Sequence, residues 1–247
     1  MISAFFGGTF DPPHLGHKAI INYVHACLHI QNIQLLPCHI PPHKCDVGAP
    51  SQRLTMCKLL ADDLPYLSIN TYELNKHSCS YTFDTVKYLN TKYPNDSIVF
   101  IIGEDSFLSL HSWYRWQELL LYCHLIVLPR LSKVEASQDE ANIKKLVQDK
   151  NLPLLYSICD DSNQTIPQNY KKYAKYTEIQ TLTIEQMQQI LNNTSHGAVF
   201  LANAPHVDIS STQIRQAVQA GKSINHLVPA PVNEFILNNN LYRIGDN

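Results

Sequence analysis

One segment, residues 7–17, constrains this chain more than any other part of it. It reads Gly-Gly-Thr-Phe-Asp-Pro-Pro-His-Leu-Gly-His and follows a short apolar run at residues 2–6, which predicts a buried first strand. Apolar residues from Ile20 to Leu28 then recur on one face of a helix. The segment, called here the glycine–histidine turn, therefore joins a strand to a helix, which is the building unit of parallel α/β folds.

The residue types in the glycine–histidine turn suit a ligand that carries phosphate. Gly7 and Gly8 have no Cβ, so a ligand can approach the backbone closely. The helix start offers free N–H groups and the positive end of the helix dipole. His14 and His17 lie three residues apart, so both imidazoles can donate hydrogen bonds to one anion. The Gly-x-Gly-x-x-Gly dinucleotide fingerprint and the Walker lysine motif are both absent.

The rest of the chain alternates predicted strands and helices. This alternation is typical of an open parallel sheet with helices on both faces, a Rossmann-like α/β fold. With 247 residues, 45% of them hydrophobic, we predict a single domain over residues 1–247 with a C-terminal helical part at about 210–247. After the first strand, further strands are predicted at residues 32–37, 67–70, 97–102, 124–128 and 198–201.

Charge and cysteine usage argue against several other classes of protein. The formal net charge of −2 does not favour a surface that binds nucleic acid. No apolar run reaches the roughly 18 residues that span a bilayer. The seven cysteines follow no Cys-x-x-Cys or disulfide pattern, which indicates free thiols in a reducing compartment. We therefore expect a cytoplasmic protein with no nucleic-acid partner and no membrane partner.

A second polar element follows the last predicted strand. Residues 209–215 read Ile-Ser-Ser-Thr-Gln-Ile-Arg. The hydroxyls of Ser210, Ser211 and Thr212 can cap a helix whose N–H groups face a triphosphate, and Arg215 lies one turn further along. Because ligands of open parallel sheets bind beyond the carboxyl ends of the strands, we expect this element to meet the glycine–histidine turn. The alternative is an ordinary N-cap with a surface arginine.

Together these segments resemble the nicotinate mononucleotide adenylyltransferases of the bacterial type, in the nucleotidylyltransferase superfamily. The resemblance covers about residues 1–130 and 196–243. It implies the Rossmann-like nucleotidylyltransferase fold and an enzyme that transfers the adenylyl group of ATP to nicotinate mononucleotide, giving deamido-NAD and pyrophosphate. Since no cluster of Asp and Glu in the sequence suggests a magnesium cage built by the protein alone, we expect Mg²⁺ to be held mainly by the ATP phosphates and water.

The resemblance also implies roles for individual residues. His14, His17 and Arg215 would be catalytic. Trp113 would stack on the pyridine ring, while backbone N–H groups at Thr82 and Tyr114 hold the nicotinate carboxylate. The implied ATP-binding residues are Gly8, Thr9, Phe10, His14, His17, Gly103, Asp105, Ser210, Ser211, Thr212 and Arg215. The implied mononucleotide-binding residues are Lys44, Thr82, Trp113, Tyr114 and Arg130.

Several alternatives stay open at this point. Trp113 could be a core residue, Asp105 a helix N-cap, Lys44 a solvated lysine and Arg130 the partner of a surface carboxylate. A related enzyme could use nicotinamide mononucleotide or another phosphorylated acceptor, or CTP. Class I aminoacyl-tRNA synthetases share a His-x-Gly-His turn, but their Lys-Met-Ser-Lys-Ser loop is absent. A catalytically inactive nucleotide-sensing module and a homo-oligomer are further options.

One region, residues 151–185, departs from the resemblance. Between positions 130 and 198 the chain is longer than we expect, and residues 170–176 read Tyr-Lys-Lys-Tyr-Ala-Lys-Tyr. Interleaved tyrosine and lysine also occur in RNA-binding segments, but the overall charge does not favour that function. We expect an insertion at about 151–185 that lies on the surface, with a solvated face, away from the site.

Overall fold

The described residues form eight strands that pair in parallel in a single sheet. The computed structural model describes residues 1–39, 47–76, 79–129, 136–147, 154–159, 166, 168–205 and 207–243. The strand order is β3-β2-β1-β4-β5-β8-β6-β7. The strands are β1 (Ile2–Gly8), β2 (Asn32–Pro37), β3 (Leu67–Ile69), β4 (Ser97–Gly103), β5 (His124–Leu128), β6 (Leu155–Ile158), β7 (Ile179–Leu182) and β8 (Val199–Ala202).

Helices cover both faces of the sheet, which confirms the predicted Rossmann-like architecture. The helices are α1 (Leu15–Ala26), α2 (Pro50–Ala61), α3 (Thr82–Lys92), α4 (Glu104–Leu108), α5 (Trp116–Leu119), α6 (Ala136–Val147), α7 (Ile184–Asn193), α8 (Ser211–Gln219) and α9 (Ala230–Asn238). Helices α1, α2 and α7–α9 share one hydrophobic core, and α3–α6 share the other. Along β1, Ala4 and Phe6 enter the first core and Phe5 the second, because successive side chains of a strand point to opposite faces. No described helix has both the length and the apolar character needed to span a membrane.

The direction in which successive strands are added to the sheet reverses between β1 and β4, and the site lies at this position. From β1 the chain builds outward to β2 and β3 on one side, then returns to pair β4 with the other side of β1. In open parallel sheets the carboxyl ends at such a switch point leave a crevice. Gly7 lies at this end of β1, and a Cβ there would come within 2.7 Å of the Phe100 ring, so any larger residue would require this ring to shift.

Within residues 151–185, the described part of the chain does not lie only on the surface. Strand β6 pairs with β8, and β7 pairs with β6, so the region extends the main sheet. Tyr170 and Tyr173 are 0% and 1% exposed, which removes them from any RNA-binding surface. The Tyr170 hydroxyl lies 3.0 Å from the Val127 carbonyl oxygen and 2.9 Å from that of Ala202, donating between β5 and β8. Residues 151–153, 160–165 and 167 lie outside the described part of the chain.

His124, at the start of β5, is buried, and burial opposes the protonation of its imidazole. Its Nδ1 accepts from the Ala198 N–H at 3.1 Å, so its proton is on Nε2, which donates to the Thr194 carbonyl at 3.2 Å. Burial lowers the pKa of His124 to about 4. The imidazole is therefore neutral in the fold and takes up a proton more readily when the chain unfolds.

We predict that His124 lowers stability in acid. Because its folded pKa lies below its unfolded value, the free energy of unfolding falls as the pH drops from about 6.5 to about 4, by roughly 3 kcal/mol from this group. His124→Asn keeps an acceptor for Ala198 but does not titrate, so its stability should fall less over this range. Urea unfolding of both proteins at pH 7, 5.5 and 4 measures the difference. Equal pH dependence would contradict the assignment.

Candidate active site

A cleft of about 500 Å³ lies at the switch point between β1 and β4. It collects residues from the glycine–histidine turn, the start of α3, the turn after β4 and the start of α8. Thirteen of the residues implied by the resemblance line it, as the placement of motifs after the strands predicts. They are Gly8, Thr9, Phe10, His14, His17, Thr82, Gly103, Asp105, Trp113, Ser210, Ser211, Thr212 and Arg215.

Among the described residues, one implied residue, Tyr114, is not part of the cleft lining. The Tyr114 side chain is 51% exposed and packs beside Tyr81, with ring centroids 5.0 Å apart. Lys44 and Arg130 lie outside the described residues. Trp113 itself is half-buried and lines the cleft, so one side of its ring packs on the core while the residue remains within reach of a ligand.

The two histidines of the turn are packed against each other. Their ring centroids are 3.7 Å apart and their planes differ by 29°. The backbone N–H of His14 donates to Nδ1 of His17 at 3.1 Å, and the Phe10 ring meets the His17 ring edge-on at 5.0 Å. An Nδ1 that accepts a hydrogen bond carries no proton, so neutral His17 has its N–H at Nε2. The turn thus fixes both the orientation and the donor atom of His17 before any ligand arrives.

The start of α8 is joined directly to the glycine–histidine turn. Ser210 is the N-cap of α8: its hydroxyl accepts from the Gln213 N–H at 3.2 Å. Ser211 donates its hydroxyl hydrogen to the Pro12 carbonyl at 2.9 Å. Arg215 donates from Nη1 to the Asp11 carbonyl at 2.7 Å and is only part-exposed. Ser210 thus has the N-cap role that the alternative gave it, while Arg215 is half-buried and bound to the backbone of the glycine–histidine turn.

Asp11 connects the junction between α8 and the glycine–histidine turn to two further parts of the chain. No role was predicted for it from the sequence. It is 3% exposed. Its Oδ1 accepts from the Tyr242 hydroxyl at 2.7 Å and its Oδ2 from the Gly48 N–H at 3.0 Å. The Arg215 guanidinium lies 3.9 Å from Oδ2. Burial, then the nearby Asp11 carboxylate, raises the pKa of Tyr242, which keeps the phenol protonated as a donor.

Arg53 of α2 holds the other side of the turn, and it too was missed. Its side chain is fully buried, and it donates to four backbone carbonyls. Nη1 reaches Thr9 at 2.9 Å and Cys38 at 2.7 Å, Nη2 reaches His39 at 2.8 Å, and Nε reaches Gly48 at 2.8 Å. A planar guanidinium provides five N–H donors in fixed directions, which suits this convergence of carbonyls.

A buried carboxylate, Glu73, lines the cleft beside α3 and was also missed. It is 4% exposed and accepts a hydrogen bond from the Thr85 hydroxyl at 2.7 Å. Burial raises its pKa, while the hydrogen bond from Thr85 and the charge of Lys76 act in the opposite direction. Glu73 therefore ties the loop before α3 to the first turn of that helix, where Thr82 begins it.

The side chains that line the described part of the cleft are compatible with a magnesium ion bound mainly through phosphate groups and water. The described residues contain no group of three or more His, Cys, Asp or Glu side chains placed to bind a metal ion. The carboxylates among the described residues of the cleft lining are those of Asp11, Glu73 and Asp105. Both oxygens of Asp11 already accept hydrogen bonds from the protein. Mg²⁺ usually keeps several waters and binds through one or two carboxylates plus substrate phosphates, which this donor set allows.

Replacing Arg53 with lysine should lower the stability of the fold considerably. Lysine keeps the charge but cannot reach carbonyls in several directions at once, so buried acceptors lose their partners. We expect Arg53→Lys to lower the free energy of unfolding by ~2–4 kcal/mol. Lys58→Arg, at an exposed position of the same helix, is the matched control and should stay within ~0.5 kcal/mol. Chemical denaturation measures both, and an unchanged stability of Arg53→Lys would show that these bonds are not needed.

The fold and the cleft together define a class of protein: a nucleotidyltransferase-type α/β enzyme. Groups of the kind that suit phosphate converge from two helix starts at the switch point of a parallel sheet. A family model described as cytidylyltransferase-like matches residues 5–217. The chain therefore belongs to the cytidylyltransferase-like family, and its full-length relatives lie among the nicotinate-nucleotide adenylyltransferases.

Curated relatives are similar to the chain over nearly its whole length. A protein of Pectobacterium atrosepticum named "probable nicotinate-nucleotide adenylyltransferase" is 33% identical over 98% of this chain and 99% of its own. Proteins of the same name from Yersinia pestis and Pseudoalteromonas atlantica are 34% and 32% identical, over 97% and 96% of this chain and 94% and 93% of their own.

Solved structures share the fold. A nicotinic acid mononucleotide adenylyltransferase of Plasmodium falciparum, solved in complex with NaAD, has a TM-score of 0.63 at 19% identity, covering 97% of this chain and 96% of that one. The same protein solved with APC gives 0.61 at 18% identity with the same coverage. At this level of identity the likeness concerns the backbone architecture, and it confirms the nucleotidylyltransferase fold.

Proposed function

We propose that this protein transfers the adenylyl group of ATP to nicotinate mononucleotide, giving deamido-NAD and pyrophosphate in NAD biosynthesis. The observation that carries the proposal is the convergence in one cleft of His14 and His17, Arg215, the Gly103–Asp105 turn, and Thr82 with Trp113. The names of the full-length relatives agree with it. The first three groups suit a nucleoside triphosphate, and the last suits an aromatic acid.

The chemistry needs alignment and charge stabilisation more than proton transfer. A 5′-phosphate oxygen of the mononucleotide attacks the α-phosphorus of ATP, the bond from that phosphorus to the bridging oxygen breaks, and pyrophosphate leaves. The attacking oxygen is already anionic, so no general base and no covalent enzyme intermediate are required. The protein must hold two polyanions in line and stabilise the charge that develops on the leaving group.

We assign these tasks to the two helix starts. His17 presents its Nε2–H from a ring that is already fixed by His14 and Phe10. Arg215 is held by the Asp11 carbonyl at the junction with the glycine–histidine turn, where its charge favours phosphate. When bound to the ATP phosphates, Mg²⁺ would neutralise part of their charge. The Gly8–Phe10 backbone and residues 210–212 complete the proposed triphosphate site.

The mononucleotide end is proposed to lie between α3 and Trp113. Thr82 is the first residue of α3, so unpaired N–H groups and the positive end of the helix dipole face this part of the cleft. A carboxylate is the natural ligand for such a position. The Trp113 ring offers a flat apolar surface for a pyridine ring. Tyr114, Lys44 and Arg130 stay proposals for the same end of the site.

His17→Ala should greatly reduce turnover in a protein that still folds. Removing one preorganised donor to transition-state charge typically costs ~10²–10³ in rate. We expect that loss in kcat for pyrophosphate release from ATP in the presence of nicotinate mononucleotide. His226→Ala, at an exposed position, is the control and should leave kcat unchanged. Near-normal turnover of a folded His17→Ala protein would remove His17 from the mechanism.

The acid mononucleotide should be a better substrate than the amide. A carboxylate accepts charge-assisted hydrogen bonds from the N–H groups at the start of α3, whereas the NH₂ of an amide would face donors with another donor. We expect a kcat/KM ratio of at least about tenfold in favour of nicotinate mononucleotide. Measuring both substrates under one set of conditions decides it, and equal values would contradict the proposed carboxylate site.

Pyrophosphate release also separates the proposal from its alternatives. A preference for nicotinamide mononucleotide, for another phosphorylated acceptor or for CTP would appear directly when each is supplied in turn. A nucleotide-sensing module would bind ATP and release no pyrophosphate with any acceptor. None of the six described cysteines is in a disulfide, which favours the cytoplasmic location expected from the sequence. ATP and nicotinate mononucleotide are the proposed partners; a homo-oligomer stays an open alternative.

A further inference from the structure

A buried ionic cluster lies behind the turn that follows β4. It consists of Glu104, Asp139, Lys172 and Tyr173, and it is called here the Lys172 cluster. The Lys172 Nζ lies 3.0 Å from Oε1 of Glu104 and 2.9 Å from Oδ2 of Asp139. The Tyr173 hydroxyl donates to the same Glu104 oxygen at 3.2 Å. One lysine thus bridges two carboxylates that belong to α4 and α6.

The two carboxylates depend on Lys172 because both are shielded from water. The side chains of Glu104 and Asp139 are 6% and 12% exposed, against 33% for Lys172. Two buried like charges repel each other, and a buried charge is costly unless it is paired and hydrogen-bonded. Burial raises the pKa of Glu104, and the charge of Lys172 acts against that rise. Without Lys172, therefore, Glu104 loses the partner that favours its present position.

Glu104 stands between two residues of the cleft. It is the first residue of α4, directly after Gly103 and directly before Asp105, both of which line the cleft. Glu104 itself is not part of the lining; its side chain is bound to Lys172 and Tyr173 instead. The contacts that hold the Glu104 side chain therefore act on the same short stretch of backbone that carries Gly103 and Asp105.

The segment that supplies Lys172 is itself fixed to the sheet. Tyr170, two residues earlier, is fully buried and donates its hydroxyl hydrogen between the carbonyls of β5 and β8. Tyr173 packs against Phe107 of α4, with ring centroids 5.9 Å apart. Lys172 is thus presented from a rigid position, as a residue that orients another residue requires.

We propose that Lys172 is a positioning residue for ATP: through Glu104 it holds the Gly103–Asp105 turn in the geometry that the nucleoside end of the ATP site requires. This deepens the proposed adenylyltransferase function and rests on it. The segment that was expected to be a surface insertion would then support the active site. A purely structural role would instead lower stability and leave substrate binding unchanged in the molecules that remain folded.

The test compares Lys172→Met, which keeps most of the side-chain length and removes the charge, with Lys172→Arg, which restores it. Lys171→Met, at an exposed neighbouring position, is the matched control. We expect Lys172→Met to raise KM for ATP about tenfold, with kcat and KM for nicotinate mononucleotide within about twofold of the unmodified protein. Lys172→Arg should recover most of the loss, and Lys171→Met should show none.

Binding of a non-hydrolysable ATP analogue, measured by calorimetry without acceptor, separates this proposal from the proposed function. If no acceptor supports turnover, the proposed function fails, while a tenfold weaker analogue Kd for Lys172→Met still supports the positioning role. An unchanged Kd and KM for ATP, with only a lower Tm, would overturn it. Equal losses in KM for both substrates would also overturn it.

A second variant keeps the test decisive if Lys172→Met does not fold. Tyr173→Phe removes only the hydroxyl that donates to Glu104. It should weaken ATP binding in the same direction, by about twofold to fivefold, and leave KM for the mononucleotide unchanged. Glu104→Gln in the Lys172→Met background should recover part of the ATP affinity, because the uncompensated charge is then gone. An unchanged ATP affinity in a folded Tyr173→Phe protein would count against the proposal.

Discussion

The Asp11 carboxylate holds the proposed phosphate site together. A carboxylate that is 3% exposed is costly unless its oxygens are hydrogen-bonded, and here the partners come from remote parts of the chain: Gly48 before α2, and Tyr242 after α9. Arg215 binds the backbone of the same residue. Arg53 secures the other side of the turn through four carbonyls. The glycine–histidine turn is therefore held between an anion and a cation that are both buried.

Periodicity predicted most of the sheet for a physical reason. Central parallel strands are buried on both faces, so they read as continuous apolar runs, as β4 and β5 do. Strands β6 and β7 are only four residues each, and polar residues break what would otherwise be a continuous apolar run in each of them. Their place was missed because short strands at the end of a sheet carry little periodic signal. The burial of Tyr170 was missed because its partners, Val127 and Ala202, are backbone carbonyls.

The residues of the candidate site also fall into those that the sequence predicts and those that it does not. His14, His17 and Arg215 could be predicted because local spacing places them at helix starts beside the carboxyl ends of strands. Asp11 and Arg53 could not, because their partners lie up to 231 residues away and several of them are main-chain atoms. Every residue type carries the same backbone carbonyl, so a side chain that binds one leaves no pattern in the sequence. Glu73 was missed for the related reason that an acidic residue in a loop usually faces solvent.

Strand β8 lies between β5 and β6, although β6 and β7 precede it in the chain. In the described part of the sheet, β6 and β7 pair only with each other and with β8, so they stay detached from β5 until residues 199–202 are available. Helix α8 and Tyr242, which belong to the proposed phosphate site, come later still. During synthesis on the ribosome, the growing chain thus lacks these parts of the proposed site until residue 242 has emerged. Binding of ATP at the proposed site would then select chains in which these parts are folded, and the cell's nucleotide pool would stabilise them by mass action.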